Sequence, residues 1–222
     1  HENEIAQSCC TNNGKALANF WMHNGFINID GEKMSKSLGN FRLVNDLLQQ
    51  YPGEVLRYVI LSAHYRSEQN FSKDLLDSAK RTLDTVYGFI RGIKPQEAIL
   101  NRSGDAFKAL LDDINTPVAI SELYRLAKAA NQAQGEEQQI LMSELSGLAD
   151  ILGLLQQDPE QWFTVARGDD QLTAEQIEKQ IQARQQAKQD KDFAKADQIR
   201  QQLLDAGIIL EDSREGTQWR RV

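Results

Sequence analysis

With 222 residues, 41% of them hydrophobic and 26% charged, the chain fits a globular protein of one to three modest domains. No apolar run within these residues approaches the roughly 20 that a membrane-spanning helix needs, and no signal peptide is expected among them. The net charge of −7 excludes a uniformly basic nucleic-acid binder, but residues 1–96 carry 11 basic and 10 acidic side chains, 97–170 carry 5 and 13, and 171–222 carry 9 and 9, so a polyanion can lie along the neutral ends.

In chain order, the opening His1-Glu2-Asn3-Glu4 offers imidazole and carboxylate donors of the kind that suit zinc; alternatively Glu4 is a surface carboxylate on a short helix over residues 3–8. Cys9 and Cys10 are adjacent, a poor arrangement for a disulfide, and lack the spacing of a zinc knuckle. Buried free thiols in a reducing cytosol are expected. Residues 18–23 are aromatic and amphipathic, with Trp21 and His23 as candidate packing residues, and residues 25–30 read as a strand or hairpin.

That hairpin leads into Lys33-Met34-Ser35-Lys36-Ser37, followed by Leu38-Gly39-Asn40. Two ammonium groups three positions apart, two hydroxyls and a glycine compose a loop that can meet a polyphosphate. Lysine is a flexible point charge for phosphate oxygens, and hydroxyls and backbone N–H groups fill the remaining acceptors. A solvated basic turn is the other reading of the pentapeptide.

Beyond the loop the helical period takes over. Val55, Tyr58, Val59 and Ser62 place a helix over about residues 53–64, with His64-Tyr65-Arg66-Ser67 in the connection that follows. Ser72 caps a long helix whose stripe is Leu75, Leu76, Ala79, Leu83, Val86, Tyr87 and Ile90, stopped by Gly92 and Pro95. Asn115-Thr116-Pro117 reads as a helix start with Thr116 as N-cap, and two apolar stripes on either side of Gly135 form a helical bundle. Residues 156–170 read as a linker that Trp162 and Phe163 can anchor. In the last module, Thr173 and Gln176 form a capping box, Asp192 caps a second helix that stops at Gly207, and two short strands surround Asp212-Ser213-Arg214-Glu215-Gly216. A carboxylate such as Asp197 or Asp212 can accept from the base edge of guanine. Trp219 either offers a stacking face, with Arg220 and Arg221 holding phosphates, or packs under the hairpin.

Lys33-Met34-Ser35-Lys36-Ser37 resembles the signature loop of class I aminoacyl-tRNA synthetases, and His1-Glu2-Asn3-Glu4 resembles the cysteinyl subgroup of that family. The segments at His64-Tyr65-Arg66-Ser67 and Asp112-Asp113-Ile114-Asn115-Thr116-Pro117, and the closing Gly216-Thr217-Gln218-Trp219-Arg220-Arg221, resemble the same subgroup. The resemblance implies a mainly α chain: residues 1–70 as the end of a class I Rossmann-type catalytic domain with its signature loop, 71–157 as a helical bundle, 158–170 as a linker, and 171–222 as a small α+β anticodon-binding module. It implies that Lys36 binds ATP, with Ser35 and Ser37 beside it, while Lys33 steadies the α-phosphate. Trp21 and His23 would lie near the catalytic floor, and Glu4 would be one zinc ligand in a site that selects cysteine through its sulfur. His1 aligns with the second histidine of the family's pair, so the ligand histidine and both cysteines of that site are missing from this sequence. Asp197, Asp212, Trp219 and Arg220 are the implied anticodon contacts, and Lys188 stands where an arginine is expected.

The implied reaction joins cysteine to ATP, with Mg²⁺, as an adenylate and passes it to the cysteine tRNA in the cytoplasm, with a monomer favoured. Because the sequence opens at His1 inside a motif, it is expected to be the C-terminal part of a longer chain and inactive alone. Two other readings are a non-catalytic tRNA-binding or regulatory fragment and a cysteine ligase of the mycothiol pathway, whose relatives lack the terminal module.

Overall fold

The computed structural model describes residues 1–29, 31–33, 43–94, 96–165, 172–212 and 216–221, with the backbone alone for Glu32 and Lys33. Among these the chain is mainly helical, with two small sheets. Helix α1 (Glu2–Thr11) has no apolar stripe and buries no residue. Cys9 and Cys10 are therefore free but not buried, contrary to the expectation from sequence: a helix without an apolar face has nothing to turn inward.

The first sheet has β1 (Ile27–Ile29) at its centre, antiparallel to β2 (Glu32–Lys33) and parallel to β3 (Gln69–Phe71), with Asn28 opposite Asn70. A parallel pair needs a crossover, and α2 (Val44–Leu48) and α3 (Gly53–Leu61) lie within it. Glycine is required just before β1. The Gly25 N–H donates to the Tyr65 carbonyl at 2.7 Å, and a Cβ there would sit 2.1 Å from the Ser67 carbonyl oxygen. Helix α3 stops at Leu61, short of the expected 64. The Val59 carbonyl is taken by the Ser62 hydroxyl at 2.7 Å and by Gln69 Nε2 at 2.5 Å, which ties the helix end to β3.

Helix α4 (Lys73–Ile90) starts as expected, with the Ser72 hydroxyl accepting from the Leu75 N–H at 3.2 Å, and its stripe is buried from Leu76 to Ile90. Helix α6 (Thr116–Gln132) packs against it, and α5 (Asp105–Leu111) and α7 (Gly135–Leu152) pack on α6. Gln138 staples the α6–α7 corner by donating to the Ala130 and Ala133 carbonyls, both at 3.0 Å. Gly153 ends α7 in the left-handed region at φ 63°, and the Leu154 N–H closes back on the Ala149 carbonyl. Helix α8 (Pro159–Thr164) occupies part of the stretch expected as a linker. Asp158 caps it, and Trp162 and Phe163 are buried, the anchoring that their apolar character suggested.

One apolar core runs from Ile29 of β1 through Val55, Val59 and Phe71 to Leu83, Leu123, Leu148 and Trp162. It crosses position 70/71 without a break. At its centre Glu54 is buried: its Oε1 accepts from the Leu155 N–H at 2.7 Å and its Oε2 from the Tyr87 hydroxyl at 2.9 Å. Tyr87 stacks on Trp162, whose indole N–H donates to Asp84 at 2.8 Å.

The terminal module has its own core. Helices α9 (Ala174–Gln189) and α10 (Phe193–Asp205) pack as a hairpin against antiparallel β4 (Ile208–Asp212) and β5 (Thr217–Arg221), around Ile177, Ile181, Leu203, Ile208 and Trp219. Both caps read from sequence are present: the Thr173–Gln176 capping box and Asp192 accepting from the Lys195 N–H. Arg221 fastens this module to α8, donating to the Thr164 carbonyl at 3.2 Å and the Leu172 carbonyl at 2.7 Å. Arg91 at the end of α4 grips Glu160 of α8 with two hydrogen bonds, 2.8 and 2.7 Å, and lies 3.6 Å from Glu211 of β4.

Candidate nucleic-acid interface

The densest polar cluster in the terminal module is built around Asp212, the last residue of β4. Strand pairing sets it opposite Thr217, whose hydroxyl donates to Asp212 Oδ1 at 2.7 Å. From α9, Arg184 donates NH1 to Oδ1 at 2.9 Å and NH2 to Oδ2 at 2.8 Å, and Lys188, one turn on, reaches Oδ2 at 3.1 Å. Arg184 holds the carboxyl far below the usual carboxylate range, with Thr217 and Lys188 adding to the effect. The carboxylate is 45% exposed, so it is fixed in direction yet open to solvent on one side.

Arg184 was not singled out from sequence, although a signal was present. It sits in the Ile177, Ile181, Ala187 stripe, and a buried guanidinium on an apolar stripe requires a carboxylate facing it. It is 3% exposed. Lys188 supplies a single-point contact where an arginine would offer a fork. Asp197 is exposed on α10 and makes no hydrogen bond or ion pair with Arg184, Lys188 or Asp212 among the described residues.

Trp219 and Arg220 fall elsewhere. Trp219 is 5% exposed and donates its indole N–H to Glu178 at 2.6 Å, so of its two readings the structure takes the packing one. Its place on the inner face of β5, over the α9–α10 hairpin, leaves no ring face for a base. Arg220 pairs with Glu211 across the hairpin at 2.9 Å and is not extended toward solvent.

At the other end of the chain, Ser35, Lys36 and Ser37 lie outside the described residues, and Lys33 is described only as the β2 backbone opposite Asn28. Glu4 is exposed on α1. The rings of His1, Trp21 and His23 gather at the surface, with centroids 5.8 to 6.4 Å apart, in neither a packed core nor a closed pocket. Among the described residues no three His, Cys, Asp or Glu side chains converge as metal ligands. Glu4 by itself does not make a zinc site, which needs three or four converging ligands.

His64, Tyr65 and Arg66 meet the turn before α6. Asp113 accepts from the Tyr65 hydroxyl at 2.6 Å and from Arg66 Nε at 2.8 Å, with His64 Nε2 at 3.8 Å. His64 lies beside an ion pair, Arg66 with Asp113, that joins the α3–β3 connection to the α5–α6 turn. Among the described residues no helix is long and apolar enough to cross a membrane.

Residues 1–81 match the family model described as the class I (C) tRNA synthetase catalytic domain, residues 107–156 match the DALR domain, and residues 170–220 match the cysteinyl-tRNA ligase anticodon binding domain. The chain is similar over its whole length to cysteine–tRNA ligases: 52% identical to that of Saccharophagus degradans, covering 49% of that protein, and 47% identical to that of Xanthomonas campestris, covering 48%. It is also 46% identical to the cysteine–tRNA ligase of Parvibaculum lavamentivorans, across 99% of this chain and 48% of the relative. The chain thus spans about half the length of the curated relatives it matches.

Proposed function

We propose that this chain, which matches cysteine–tRNA ligases along its whole length, supplies the ATP-gripping loop and the tRNA-reading domains of an enzyme that activates cysteine as its adenylate and transfers it to the cysteine tRNA. The observation that carries this is the order of three domain matches, catalytic, DALR and anticodon-binding, along one chain. In this reading residues 1–70 end a Rossmann-type domain, whose parallel β1–β3 pair is the local trace of it, α4 to α7 form the helical bundle, and residues 171–222 read the anticodon in the cytoplasm.

The chemistry follows from charge. ATP enters with Mg²⁺, the cysteine carboxylate attacks the α-phosphate, pyrophosphate leaves, and negative charge builds on the phosphoryl oxygens. Lys36 meets that charge and Lys33 steadies the α-phosphate, with Ser35 and Ser37 as hydrogen-bond donors. A positioned cation acting on developing charge is worth several kcal/mol, roughly a hundredfold or more in rate. At the far end, the Asp212 carboxylate, fixed by Arg184 and half open to solvent, accepts from the N–H edge of a base that displaces Lys188, and Asp197 is a second exposed carboxylate on the same module.

The test is a chimaera in which this chain completes the upstream half of the Saccharophagus degradans relative. It should charge cysteine tRNA, and Lys36→Ala should cut single-turnover adenylate formation about a hundredfold or more while leaving cysteine binding nearly unchanged. A folded chimaera that charges no tRNA, or a Lys36→Ala variant with undiminished adenylate formation, would refute the reading.

A further inference from the structure

We propose that Asp113 is a positioning residue for adenylate formation: the turn over residues 112–115 grips the connection over residues 64–67 and, through Gly25, sets the β1–β2 hairpin that ends at Lys33. The inference rests on the reading above that this chain takes part in activating cysteine.

The turn joins α5 to α6 at a conformational cost. Asp113 and Ile114 have φ of 53° and 55°, and among the described residues no other two non-glycine neighbours are left-handed in succession. An L side chain crowds the backbone in this region, and a β-branched one such as isoleucine is a rare occupant. Burial does not offset the cost, because Leu111 is 72% exposed and Ile114 43%. The contacts that hold the turn are polar, and they reach one partner segment. Asp113 accepts from the Tyr65 hydroxyl at 2.6 Å and from Arg66 Nε and NH2 at 2.8 and 3.1 Å, while the Thr116 hydroxyl donates to the Leu61 carbonyl at 2.7 Å. Strained segments persist only where their surroundings over-determine them, and they cluster where position matters to function.

The same connection touches the segment that enters β1. The Tyr65 carbonyl accepts from the Gly25 N–H at 2.7 Å, and the Ser67 carbonyl fills the space that a Gly25 Cβ would need, so only glycine lets the two segments meet. The Phe26 carbonyl then accepts from the Gln69 N–H at 3.0 Å, and β1 begins at Ile27. Pairing of β1 with β2 sets Lys33 opposite Asn28. One side chain, one backbone hydrogen bond and one strand pair therefore separate Asp113 from the strand that ends at Lys33. Asp113 and Arg66 are both exposed, and an exposed ion pair adds little to folding stability. Alignment is what the pair can supply.

The experiment uses the chimaera described above and measures single-turnover adenylate formation in the absence of tRNA, cysteine affinity and the thermal midpoint. Asp113→Ala should slow adenylate formation about a hundredfold, the loss that a misplacement of about 1 Å can cause, while cysteine affinity and the midpoint hold. Asp113→Asn tolerates the left-handed backbone and keeps an acceptor for the Tyr65 hydroxyl, so it should retain most of the rate. Tyr65→Phe should also slow the step, and Tyr65→Phe/Asp113→Ala should be no slower than Asp113→Ala alone, because both act through one contact. Ile114→Gly should keep the rate and raise the midpoint, since glycine adopts the turn without strain; a lowered midpoint would deny the strain. If the wild-type chimaera forms adenylate but Asp113→Ala keeps its rate, loses it only in proportion to folded protein, or adds its loss in full to that of Tyr65→Phe, the positioning role is wrong and the reading above stands. If the wild-type chimaera forms no adenylate, that reading falls and the positioning role with it.

Discussion

At Asp212 one carboxylate receives four donors, two from Arg184 and one each from Lys188 and Thr217. Those four donors fill the roughly four acceptor sites of a carboxylate, so a base edge reads Asp212 by displacing one of them, and Lys188, on the partly exposed side, is the one a base can replace. Asp212→Ala should relax discrimination at one anticodon base, by about 1–3 kcal/mol for the lost base-edge contact, read by competition between transcripts. Unchanged discrimination in a folded variant would move the reading head elsewhere. Because the carboxyl is depressed from its ordinary 3.8, its stabilising contribution is complete at neutral pH and is lost as pH falls below about 4, where the unfolded chain takes up the proton first. Trp219 shows why part of this site was hidden in the sequence. An aromatic flanked by arginines fits a stacking platform and a core residue equally well, and only the strand register, with Leu210 opposite Trp219, decides which face it takes. Trp219→Ala should cost about 3–5 kcal/mol of module stability, and tRNA affinity should drop only in proportion to the folded fraction seen by circular dichroism.

Elements set by local periodicity were legible: α4, α6, α7, α9 and α10 follow the three-and-four spacing of their apolar residues, and Ser72, Thr173 and Asp192 cap as their side-chain chemistry dictates. Elements set by distant partners were not. Gln69-Asn70-Phe71 has no strand pattern and becomes β3 because β1 pairs with it, across a crossover of some forty residues. The start of α6 was misassigned by one residue for a related reason. Asn115, not Thr116, is the N-cap, its side chain accepting from the Val118 N–H at 3.4 Å. The Thr116 hydroxyl is drawn away to the Leu61 carbonyl at the end of α3, at 2.7 Å, a contact invisible in the sequence. The two changes should therefore differ. Asn115→Ala should cost about 1 kcal/mol as an ordinary lost cap. Thr116→Val should also cost about 1 kcal/mol, by orphaning the Leu61 carbonyl, but its loss should be coupled to α3. Hydrogen exchange separates them: Thr116→Val should speed exchange in α3 as well as α6, and Asn115→Ala in α6 alone.

The molecule as a whole is held by a polar seam through its main core as much as by apolar contact. Glu54 on α3 takes hydrogen bonds from the Leu155 N–H beyond α7 and from Tyr87 on α4, while the Gln157 N–H donates to the same Tyr87 hydroxyl at 3.2 Å. Tyr87 stacks on Trp162 of α8, and Arg91 and Arg221 carry the connection on to the terminal hairpin. The relative placement of the first sheet and the reading module thus passes through one buried carboxylate. Burial pushes the Glu54 carboxyl up from its ordinary 4.5, against the opposing pull of the Leu155 and Tyr87 hydrogen bonds. The sign is opposite to that of Asp212. The folded state holds the Glu54 proton more tightly than the unfolded chain, so this group's contribution is fully present below pH 4.5 and declines as pH rises through its raised folded value. Glu54→Gln keeps a carbonyl for the Leu155 N–H and an amide that can donate to the Tyr87 hydroxyl, with no charge to desolvate. The difference in urea midpoint between wild type and Glu54→Gln should therefore shift in favour of the variant between pH 4.5 and 7, and be flat below pH 4. Glu54→Leu strands both donors, and should cost about 1–3 kcal/mol for each group left unpaired at every pH. A wild-type-minus-Gln difference that does not change with pH would show that Glu54 titrates as it does in water, and that burial does not disfavour its charge.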